Sequence, residues 1–238
     1  MNYSGITSLL EPELENKHIY RILNFDYLAE WFETGKLPLL SPAKWEDPFE
    51  KLFQQAVYPD QVSLNYQRAR MYGLCMTMNG ISDALWRVYS PQQYGIRIKT
   101  TPSIIGEALS NSTELVLGQT YLGKVNYKKQ SDLVAHARTI KENLEKNPET
   151  KTVAEAMLLK RTAFQHEKEV RIIHLTADSN AKDDLYYFSI DPHKVIQSIL
   201  VDPRASDVRF KTIKRYFSKV CSYKGSINQS QLYKLPRI

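Results

Sequence analysis

Two periodicities of apolar residues run along the chain, and together they predict a mixture of strands and helices. Short apolar or alternating runs predict strands at 18–23, 37–40, 72–78, 94–100, 115–129 (as one long or two short strands), near 168–175, 184–190 and 195–201. Apolar residues at helical spacing predict helices at 24–35, 61–72, 82–90, 131–146, 152–162 and 207–219, and one more that begins at Thr101. Because strands and helices do not alternate strictly, the pattern favours an α+β domain over a parallel doubly wound sheet.

Local chemistry supports several of these helix boundaries. Asn24 can cap the first helix, and Gly35 suits the left-handed residue that ends it. Ser82 and Ser206 occupy the capping position before two later helices. Pro102 lies in a first turn, where its missing N–H costs no hydrogen bond.

The predicted elements lie in one central domain with polar ends. Residues 1–17 are polar with an acidic patch, which predicts a mobile N-terminal arm. Residues 18–221 contain no linker and no internal repeat, so we predict a single α+β domain with an insertion-like helical pair at about 131–162. Residues 222–238 are weakly patterned and are predicted to form a C-terminal tail.

Composition limits the classes of protein to which the chain can belong. With 238 residues, of which 42% are hydrophobic and 24% charged, the chain can bury a sizeable core. The formal net charge of +6 permits an anionic partner such as nucleic acid or a phosphorylated cofactor. Cys75 and Cys221 are the only cysteines and the five histidines are scattered, so we expect neither a disulfide framework nor a metal.

The lack of recognisable targeting and nucleotide-binding motifs disfavours further classes of protein. The N-terminal sequence lacks the basic start and apolar core of a signal peptide, and no apolar run approaches the roughly 20 residues that span a bilayer. We therefore expect a cytoplasmic protein without membrane contact. The sequence has no Gly-rich phosphate loop and no nucleophile elbow, which disfavours ATP-driven and α/β-hydrolase chemistry.

The segment HEKEVRII at 166–173 is the strongest candidate for chemistry. Side chains two apart on a strand point to the same face, so Glu167, Glu169 and Arg171 are expected to line one side of a strand. A carboxylate pair of this kind can perform acid–base catalysis, stabilise an oxocarbenium ion or coordinate a divalent metal. The simpler interpretation is a salt-bridged edge strand.

An arginine inside the first apolar strand is a second candidate. The guanidinium of Arg21, next to Tyr20, needs a carboxylate or phosphate partner if it is buried. Glu167 and Glu169 are its expected partners. The alternative is an arginine at a sheet edge that extends into water.

The loop SPAKWEDPFEK at 41–51 concentrates functional side chains between two prolines. Ser41 begins the loop, and Asp47 and Glu50 lie three residues apart, where they can bind a metal or a ribose hydroxyl. The alternative is a purely structural turn in which Asp47 caps the following residues.

Aromatic and basic side chains on two predicted helices complete the candidates. Trp86 and Tyr89 are three apart and share a helix face, which is typical of core packing but also allows stacking on a base or nicotinamide ring. The last helix carries a basic face, which is either solvated or guides an anionic substrate. That face consists of Arg209, Lys211, Lys214, Arg215 and Lys219.

Taken in order, these motifs resemble the bacterial family catalogued as domain of unknown function 2971. The matching segments, over roughly residues 19–201, are YR, LPLLSP, WEDPFE, CMTM, WRVY, YGIRI and a lysine ahead of HEKEVR. The usual pattern of the family is Tyr-Arg, Asn-Asp-Pro-Phe-Glu, Trp-x-x-Tyr and Glu-x-Glu-x-Arg. This chain has Glu46 where the family commonly has Asn.

The layout of that family is similar to the layout of ADP-ribosyltransferases. It implies a mixed, mostly antiparallel split sheet with flanking helices. The resemblance also implies that Arg21, on the first strand, holds the pyrophosphate of NAD. Ser41 or Tyr89 would supply the mid-chain element, and Glu169 would be the catalytic residue on a late strand.

The same resemblance implies a function and the roles of the remaining candidates. Glu167 would assist Glu169, Arg171 would orient the pair, and Trp86 or Tyr89 would stack on the nicotinamide. The implied protein is a toxin or defence effector, for example in anti-phage defence, that uses NAD as substrate and modifies a protein, RNA or DNA acceptor. A toxin further implies a neutralising protein or partner subunit.

Two other classes of function stay open on the residues alone. A metal-dependent nuclease would use Asp47, Glu50, Glu167 and Glu169 as magnesium ligands and the basic helix to bind the phosphate backbone. A non-catalytic module would keep the fold and use the aromatic residues only to recognise a nucleotide or a partner protein.

Overall fold

The computed structural model describes residues 7–45, 47–50, 70–114, 118–147, 149–176 and 184–235. Its strands are β1 (Thr7–Leu9), β2 (Ile19–Asn24), β3 (Lys36–Leu40), β4 (Arg70–Thr77), β5 (Gly95–Thr100), β6 (Gly118–Lys124), β7 (Asn126–Lys128), β8 (Leu159–Arg161), β9 (Glu169–Thr176), β10 (Leu185–Ser189), β11 (Ser198–Val201) and β12 (Ser226–Gln229). Its α-helices are α1 (Phe25–Thr34), α2 (Asp83–Tyr89), α3 (Pro102–Ser110), α4 (Gln130–Lys146), α5 (Thr150–Ala156), α6 (Pro192–Val195) and α7 (Asp207–Arg215). Short 3-10 segments occur at Pro12–Leu14, Pro42–Lys44 and Thr162–Glu167, and a π-helical turn at Tyr216–Val220 continues α7.

Ten of the described strands form one mixed sheet that runs through the molecule. Their order is β1-β6-β9-β4-β2-β5-β11-β12, with β3 joined to β4 and β10 joined to β3. Pairing is antiparallel except between β1 and β6 and between β11 and β12. The predicted fold class is therefore confirmed: a single α+β domain with a mixed, mostly antiparallel sheet and flanking helices.

The sheet splits along one edge of β4. Strand β2 pairs with that edge at Thr77, and β3 pairs with it at Gly73. Between these two points the carbonyl oxygen of Cys75 accepts a hydrogen bond from Arg21 Nη1 at 2.7 Å. Arg21 of β2 thus supplies a hydrogen-bond donor to β4 in the gap between β2 and β3.

Apolar clusters cover both faces of this sheet. Ile172 and Ile173 are adjacent on β9 but belong to different clusters, as the alternation of side chains along a strand requires. The cluster of Ile172 includes residues of α1, α3 and α7, and the cluster of Ile173 includes residues of α4 and α5. Each fully buried aliphatic or aromatic side chain contributes about 1.5–3 kcal/mol, so both clusters anchor the sheet firmly.

Most of the predicted elements are present within one to three residues of their expected ends, and the caps largely agree. Gly35 ends α1 with a left-handed φ of 65°. Ser82 and Ser206 each accept a hydrogen bond from a backbone N–H in the first turn of α2 and α7. Asn24 lies at the capping position of α1, but its side chain makes no capping hydrogen bond.

Three predicted elements differ from the structure. The helix expected at 152–162 ends at Ala156, because the buried run that follows leads into β8, which pairs with β7. The helix expected at 207–219 is α-helical only to Arg215 and then widens into the π-helical turn. Of the helix expected at 61–72, residues 61–69 lie outside the described residues and 70–72 belong to β4.

Strand pairing extends beyond the boundaries that polarity suggested for the central domain. β1 pairs with β6 from Thr7 to Leu9, within the segment predicted as an arm, and β12 pairs with β11 within the segment predicted as a tail. Backbone hydrogen bonds hold an edge strand and need few apolar side chains, so a polar sequence does not reveal one. Every helix among the described residues is too short or too polar to span a lipid bilayer.

Candidate active site

The side chains of Glu167 and Glu169, which we call the carboxylate pair, meet at the ammonium group of Lys160. Lys160 Nζ lies 2.7 Å from Glu167 Oε2 and 2.5 Å from Glu169 Oε1. All three residues are at most 8% exposed. Charges buried this deeply are stable only when they are paired, so the three side chains act as one unit.

A turn, and not the strand itself, brings Glu167 to this position. Glu167 ends the 3-10 segment Thr162–Glu167, Lys168 follows with a left-handed φ of 45°, and Glu169 begins β9. The expectation that Glu167 lies on the strand with Glu169 and Arg171 is therefore wrong, whereas Glu169 and Arg171 do share a face. The turn is anchored by Thr77, whose hydroxyl donates to the carbonyl of Glu167.

Arg171 links the carboxylate pair to a third buried acid. Its Nε donates to Glu169 Oε2 at 2.6 Å, its Nη1 donates to the carbonyl of Met157 at 2.8 Å, and its Nη2 pairs with Glu50. The guanidinium lies over the ring of Trp45, with the ring centroid 4.4 Å away. All of these contacts orient Arg171, and Arg171 in turn holds the carboxylate of Glu169 in place.

The environments of the two carboxylates drive their pKa values apart. Burial and a hydrogen bond to Glu169 raise the pKa of Glu167 to about 7. Burial also opposes ionisation of Glu169, but the charges of Arg171 and Lys160 and the hydrogen bond from Glu167 hold its pKa below the ordinary value. Pairs of this kind, with one group near neutrality and the other ionised, are typical of acid–base sites.

Lys160 stays charged between the two carboxylates. Burial alone would lower the pKa of Lys160, but the charge of Glu169 and the hydrogen bonds to Glu167 and Glu169 outweigh burial and raise it. Its ammonium also lies 4.5 Å from the ring centroid of Phe164. The cation therefore serves as a fixed counter-charge and not as a proton donor at neutral pH.

Two tyrosines contact the carboxylate pair from different sides. The hydroxyl of Tyr89 lies 3.4 Å from Glu167 Oε1, and Tyr89 is 47% exposed. The hydroxyl of Tyr127 accepts a hydrogen bond of 2.8 Å from the N–H of Glu169. Burial raises the pKa of Tyr127 to about 12, so its hydroxyl stays protonated. Tyr89 thus connects Glu167 with the solvent-exposed side of the site.

Arg21 approaches the same region from the split of the sheet. It is half-buried, and burial lowers its pKa, while the charges of Cys75 and Tyr89 act in the opposite direction. The expected carboxylate partner is not found, because Arg21 forms no ion pair with a described residue and donates to a backbone carbonyl instead. The pKa of Cys75 is raised by burial to about 12, so its thiol stays protonated.

Asp47 forms both the predicted turn and an ion pair. Its Oδ1 accepts from the N–H of Phe49 at 3.0 Å and from Arg161 Nη2 at 2.8 Å, and its Oδ2 accepts from Arg161 Nε at 3.3 Å. The guanidinium of Arg161 lies between the rings of Phe49 and Phe164, 4.5 and 5.2 Å from their centroids. Both carboxylate oxygens of Asp47 are therefore engaged by one arginine.

The four carboxylates of the nuclease alternative each face a protein cation. Asp47 pairs with Arg161, Glu50 pairs with Arg171, and the carboxylate pair shares Lys160. Among the described residues, no three or more His, Cys, Asp or Glu side chains form a group that could hold a metal ion. This division of the acids between cations does not favour a shared magnesium site.

Three further predicted site residues make their described contacts with other parts of the structure. Ser41 accepts a hydrogen bond of 3.4 Å from the N–H of Ala43 and so begins the 3-10 segment Pro42–Lys44. Tyr20 lies beneath the guanidinium of Arg97, 4.5 Å from ring centroid to guanidinium carbon. Trp86 is almost fully buried and lines a separate groove. Trp86 and Tyr89, although on one helix, thus face different regions of the structure.

Lys160, Tyr127 and Arg161 are site residues that the sequence pattern did not single out. A lysine ahead of HEKEVR is part of the family resemblance, but no role followed from it. The available signal was the apolar run Met157-Leu158-Leu159 directly before Lys160, since a lysine that follows such a run into the interior needs an acidic partner. Which acid it would meet depends on the turn that follows.

Comparison with solved structures gives only a distant likeness. The structure of DarT from Thermus sp. 2.9 in complex with ADP-ribosylated single-stranded DNA shares 11% identity and a TM-score of 0.41 with this chain, covering 92% of this chain and 96% of that chain. The same protein in complex with NAD+ shares 12% identity and a TM-score of 0.40, over 91% and 96%. Its complex with carba-NAD+ shares 13% identity and a TM-score of 0.41, over 93% and 98%.

Comparison at the level of sequence supports the predicted resemblance in part of the chain. No curated protein matches the sequence. The family model described as "Protein of unknown function (DUF2971)" matches residues 85–172. This stretch runs from α2 into β9 and contains Tyr89, Lys160 and the carboxylate pair, so the resemblance to that family is confirmed over these residues, whereas Arg21 and Glu50 lie outside the matched stretch.

Proposed function

We propose that the protein is an ADP-ribosyltransferase-like enzyme that cleaves NAD and transfers ADP-ribose to a macromolecule. The observation that carries the proposal is the carboxylate pair at the start of β9, held by Lys160 and Arg171 and positioned close to the split of the sheet. The layout that the resemblance implies has a catalytic glutamate on a late strand, an arginine or histidine on the first strand and an aromatic or serine element in the middle of the chain. Glu169 at the start of β9, Arg21 on β2 and Tyr89 at the end of α2 are our candidates for these three roles.

The arrangement suits cleavage of the bond between nicotinamide and ribose. When this C–N bond breaks, nicotinamide leaves with the electron pair and the ribose becomes an oxocarbenium ion, which a nearby carboxylate stabilises. The acceptor then forms a bond to the same carbon and loses its proton. Glu167, with its pKa of about 7, is suited to accept that proton at neutral pH.

Access to substrate differs between the two carboxylates. Both oxygens of Glu169 are engaged, one by Lys160 and the other by Arg171. Glu167 Oε1 instead faces the exposed Tyr89 across a long hydrogen bond of 3.4 Å. We therefore propose that Glu167 is the carboxylate that contacts the substrate, and that Glu169 is the ionised group that keeps a negative charge in the site. The reverse assignment, which the resemblance implied, makes a different prediction for the variants below.

Arg21 and Tyr89 are proposed to bind NAD. Arg21 uses one guanidinium nitrogen on Cys75, and its remaining N–H groups are suited to the pyrophosphate. Tyr89 is exposed and adjacent to Glu167, so its ring is suited to stack on the nicotinamide. The contact with Glu167 favours Tyr89 over Ser41 as the mid-chain element, and the burial of Trp86 favours Tyr89 for stacking.

The test is release of nicotinamide from NAD by the purified protein, with and without EDTA, single-stranded DNA, RNA or cell lysate. Glu167→Gln and Glu169→Gln are compared with Glu142→Gln, which changes an exposed acid on α4. We expect release that survives EDTA, falls about 100-fold or more in the first two variants and is unchanged in the control. A severe defect in Glu167→Gln with a milder one in Glu169→Gln supports the proposed order of access, and the opposite ranking supports Glu169 as the contacting group. Absence of release under every condition would overturn the proposal.

The biological setting that follows from this activity is also a proposal. An enzyme of this kind would act in the bacterial cytoplasm as a toxin or phage-defence effector, with a nucleic acid or protein as acceptor and a neutralising protein or partner subunit. Induced expression of the wild-type chain and of Glu167→Gln in a bacterial host tests this. Growth arrest by the wild type alone is expected, and equal growth would contradict a toxin.

A further inference from the structure

A groove of about 840 Å³ lies beside α2 and apart from the carboxylate pair. Its walls come from β5, β11, β12, α7 and the residues that follow β12. Trp86 of α2 lines the groove, while Tyr89 of the same helix contacts Glu167. The groove and the carboxylate pair share no residue, so binding in the groove does not depend on the proposed reaction.

The charge that lines the groove has one sign. Arg97, Lys214 and Lys234 line it, and the described lining residues include no Asp or Glu. Neither the arginine nor the two lysines form an ion pair with a described residue. Three cations along one groove, with no acidic side chain among its described lining residues, create a positive potential, which favours an anionic ligand.

Arg97 is the strongest indication of a ligand. It stacks on Tyr20, and its Nε atom is buried without a hydrogen-bond partner. Burial also lowers its pKa. A guanidinium with few acceptors costs free energy, and because Arg97 lines the groove, a phosphate oxygen bound there would accept charge-assisted hydrogen bonds from its terminal N–H groups.

The remaining lining indicates a ligand with a flat, partly apolar body. Phe210 and Leu232 provide apolar surface, and the ammonium of Lys214 lies 5.8 Å from the ring centroid of Phe210. Side-chain amides of Asn228 and Gln231 also line the groove and can both donate and accept hydrogen bonds. Apolar surface combined with amides and cations matches a base linked to a phosphate better than it matches an inorganic ion.

We propose that this groove binds a nucleoside phosphate, with the phosphate at Arg97, Lys214 and Lys234 and the base against Phe210 and Leu232. The volume of about 840 Å³ is in the range of small-molecule sites. The same chemistry is offered by a free nucleotide and by a nucleotide within a single strand of nucleic acid. Binding to the groove is a property separate from NAD cleavage.

Direct binding measurements test the proposal with AMP, adenosine and a single-stranded oligonucleotide of about ten nucleotides as probes. Isothermal titration calorimetry is suited to the first two, and fluorescence anisotropy to the third. We expect AMP or the oligonucleotide to bind about tenfold or more tightly than adenosine, because adenosine lacks the phosphate. Tighter binding of the oligonucleotide than of AMP assigns the groove to a strand, and the reverse assigns it to a free nucleotide.

Paired variants separate the groove from general electrostatic attraction. Lys214→Gln with Lys234→Gln removes two groove cations, and Lys211→Gln with Lys219→Gln removes the same charge from exposed positions of α7 and its π-helical extension that do not line the groove. The groove variant is expected to lose about tenfold in affinity and the control to lose little. Glu167→Gln should bind like the wild type even if it abolishes NAD cleavage. Equal weakening by both double variants, or absence of binding by AMP and oligonucleotide alike, would overturn the proposal.

Discussion

Lys160 Nζ lies 2.5 Å from Glu169 Oε1, although the two residues are nine apart and belong to different strands. The 3-10 segment between β8 and β9 folds the chain back and brings both ends of this stretch together. The same ammonium binds Glu167 within that segment. One buried cation thus determines where both carboxylates lie.

Removal of this cation should destabilise the protein strongly. Lys160→Met leaves two buried carboxylates with less counter-charge, so we expect the free energy of unfolding to fall by about 3–5 kcal/mol at pH 8. The loss should be smaller at pH 5, where Glu167 is protonated. Urea denaturation measures both values. Lys151→Met, which breaks an exposed pair with Glu155, serves as control and should cost less than about 0.5 kcal/mol. Similar losses in the two variants would contradict the buried counter-charge.

The raised pKa of Glu167 should appear in the pH dependence of stability. Its pKa rises from an ordinary 4.5 to about 7 on folding, so the native state binds more protons than the unfolded state between these values. The contribution of Glu167 is complete below pH 4.5 and is lost as the pH rises through 7. At roughly 1.4 kcal/mol per pKa unit, this loss amounts to about 3 kcal/mol.

Glu167→Gln should therefore flatten the stability curve in this window. Glutamine does not titrate, and the lowered pKa of Glu169 acts only as the pH falls below its ordinary value of 4.5. Chemical denaturation at several pH values between 4.5 and 8 provides the comparison. An unchanged slope in the variant would show that another group titrates in this range.

Arg21 is expected to stabilise the split of the sheet as well as to bind NAD. Arg21→Met leaves the carbonyl of Cys75 without its side-chain donor, which should cost about 1–3 kcal/mol in the free energy of unfolding. Arg21→Lys keeps the charge but not the guanidinium fork, so it should restore part of the stability and little of the affinity for NAD. Denaturation and NAD titration of both variants measure the two effects. Wild-type stability of Arg21→Met would argue against a structural role.

The ion pair of Asp47 should matter for stability and not for chemistry. Asp47→Ala removes two hydrogen bonds to Arg161 and should cost about 2 kcal/mol. Asp184→Ala breaks an exposed pair with Lys44 and should change stability by less than about 0.5 kcal/mol. Nicotinamide release by the folded fraction of Asp47→Ala should match the wild type. A specific loss of activity in this variant would instead support a direct role of Asp47 at the site.

The sequence by itself determined most of the local structure and the placement of Glu169 and Arg171 on one face of β9. The apolar periodicity gave α1, α2 and β9, and the left-handed Gly35 ended α1 as its residue type required. Glu169 and Arg171 share a face of β9 because side chains two apart on any strand do so. Such features depend on neighbouring residues alone and can therefore be predicted from the sequence.

Only the tertiary structure decided the contacts between distant residues. Burial requires that Lys160 and Arg21 have partners, but it does not select which partners, because that choice depends on how β4, β8 and β9 are placed. The sequence pattern predicted a helix through Lys160, whereas in the structure Lys160 lies on β8 and binds both glutamates. The pattern also predicted a carboxylate partner for Arg21, which instead donates to the carbonyl of Cys75. The left-handed backbone of Lys168 likewise turns the chain between Glu167 and Glu169. Glu167 therefore lies at the end of the 3-10 segment and not on β9.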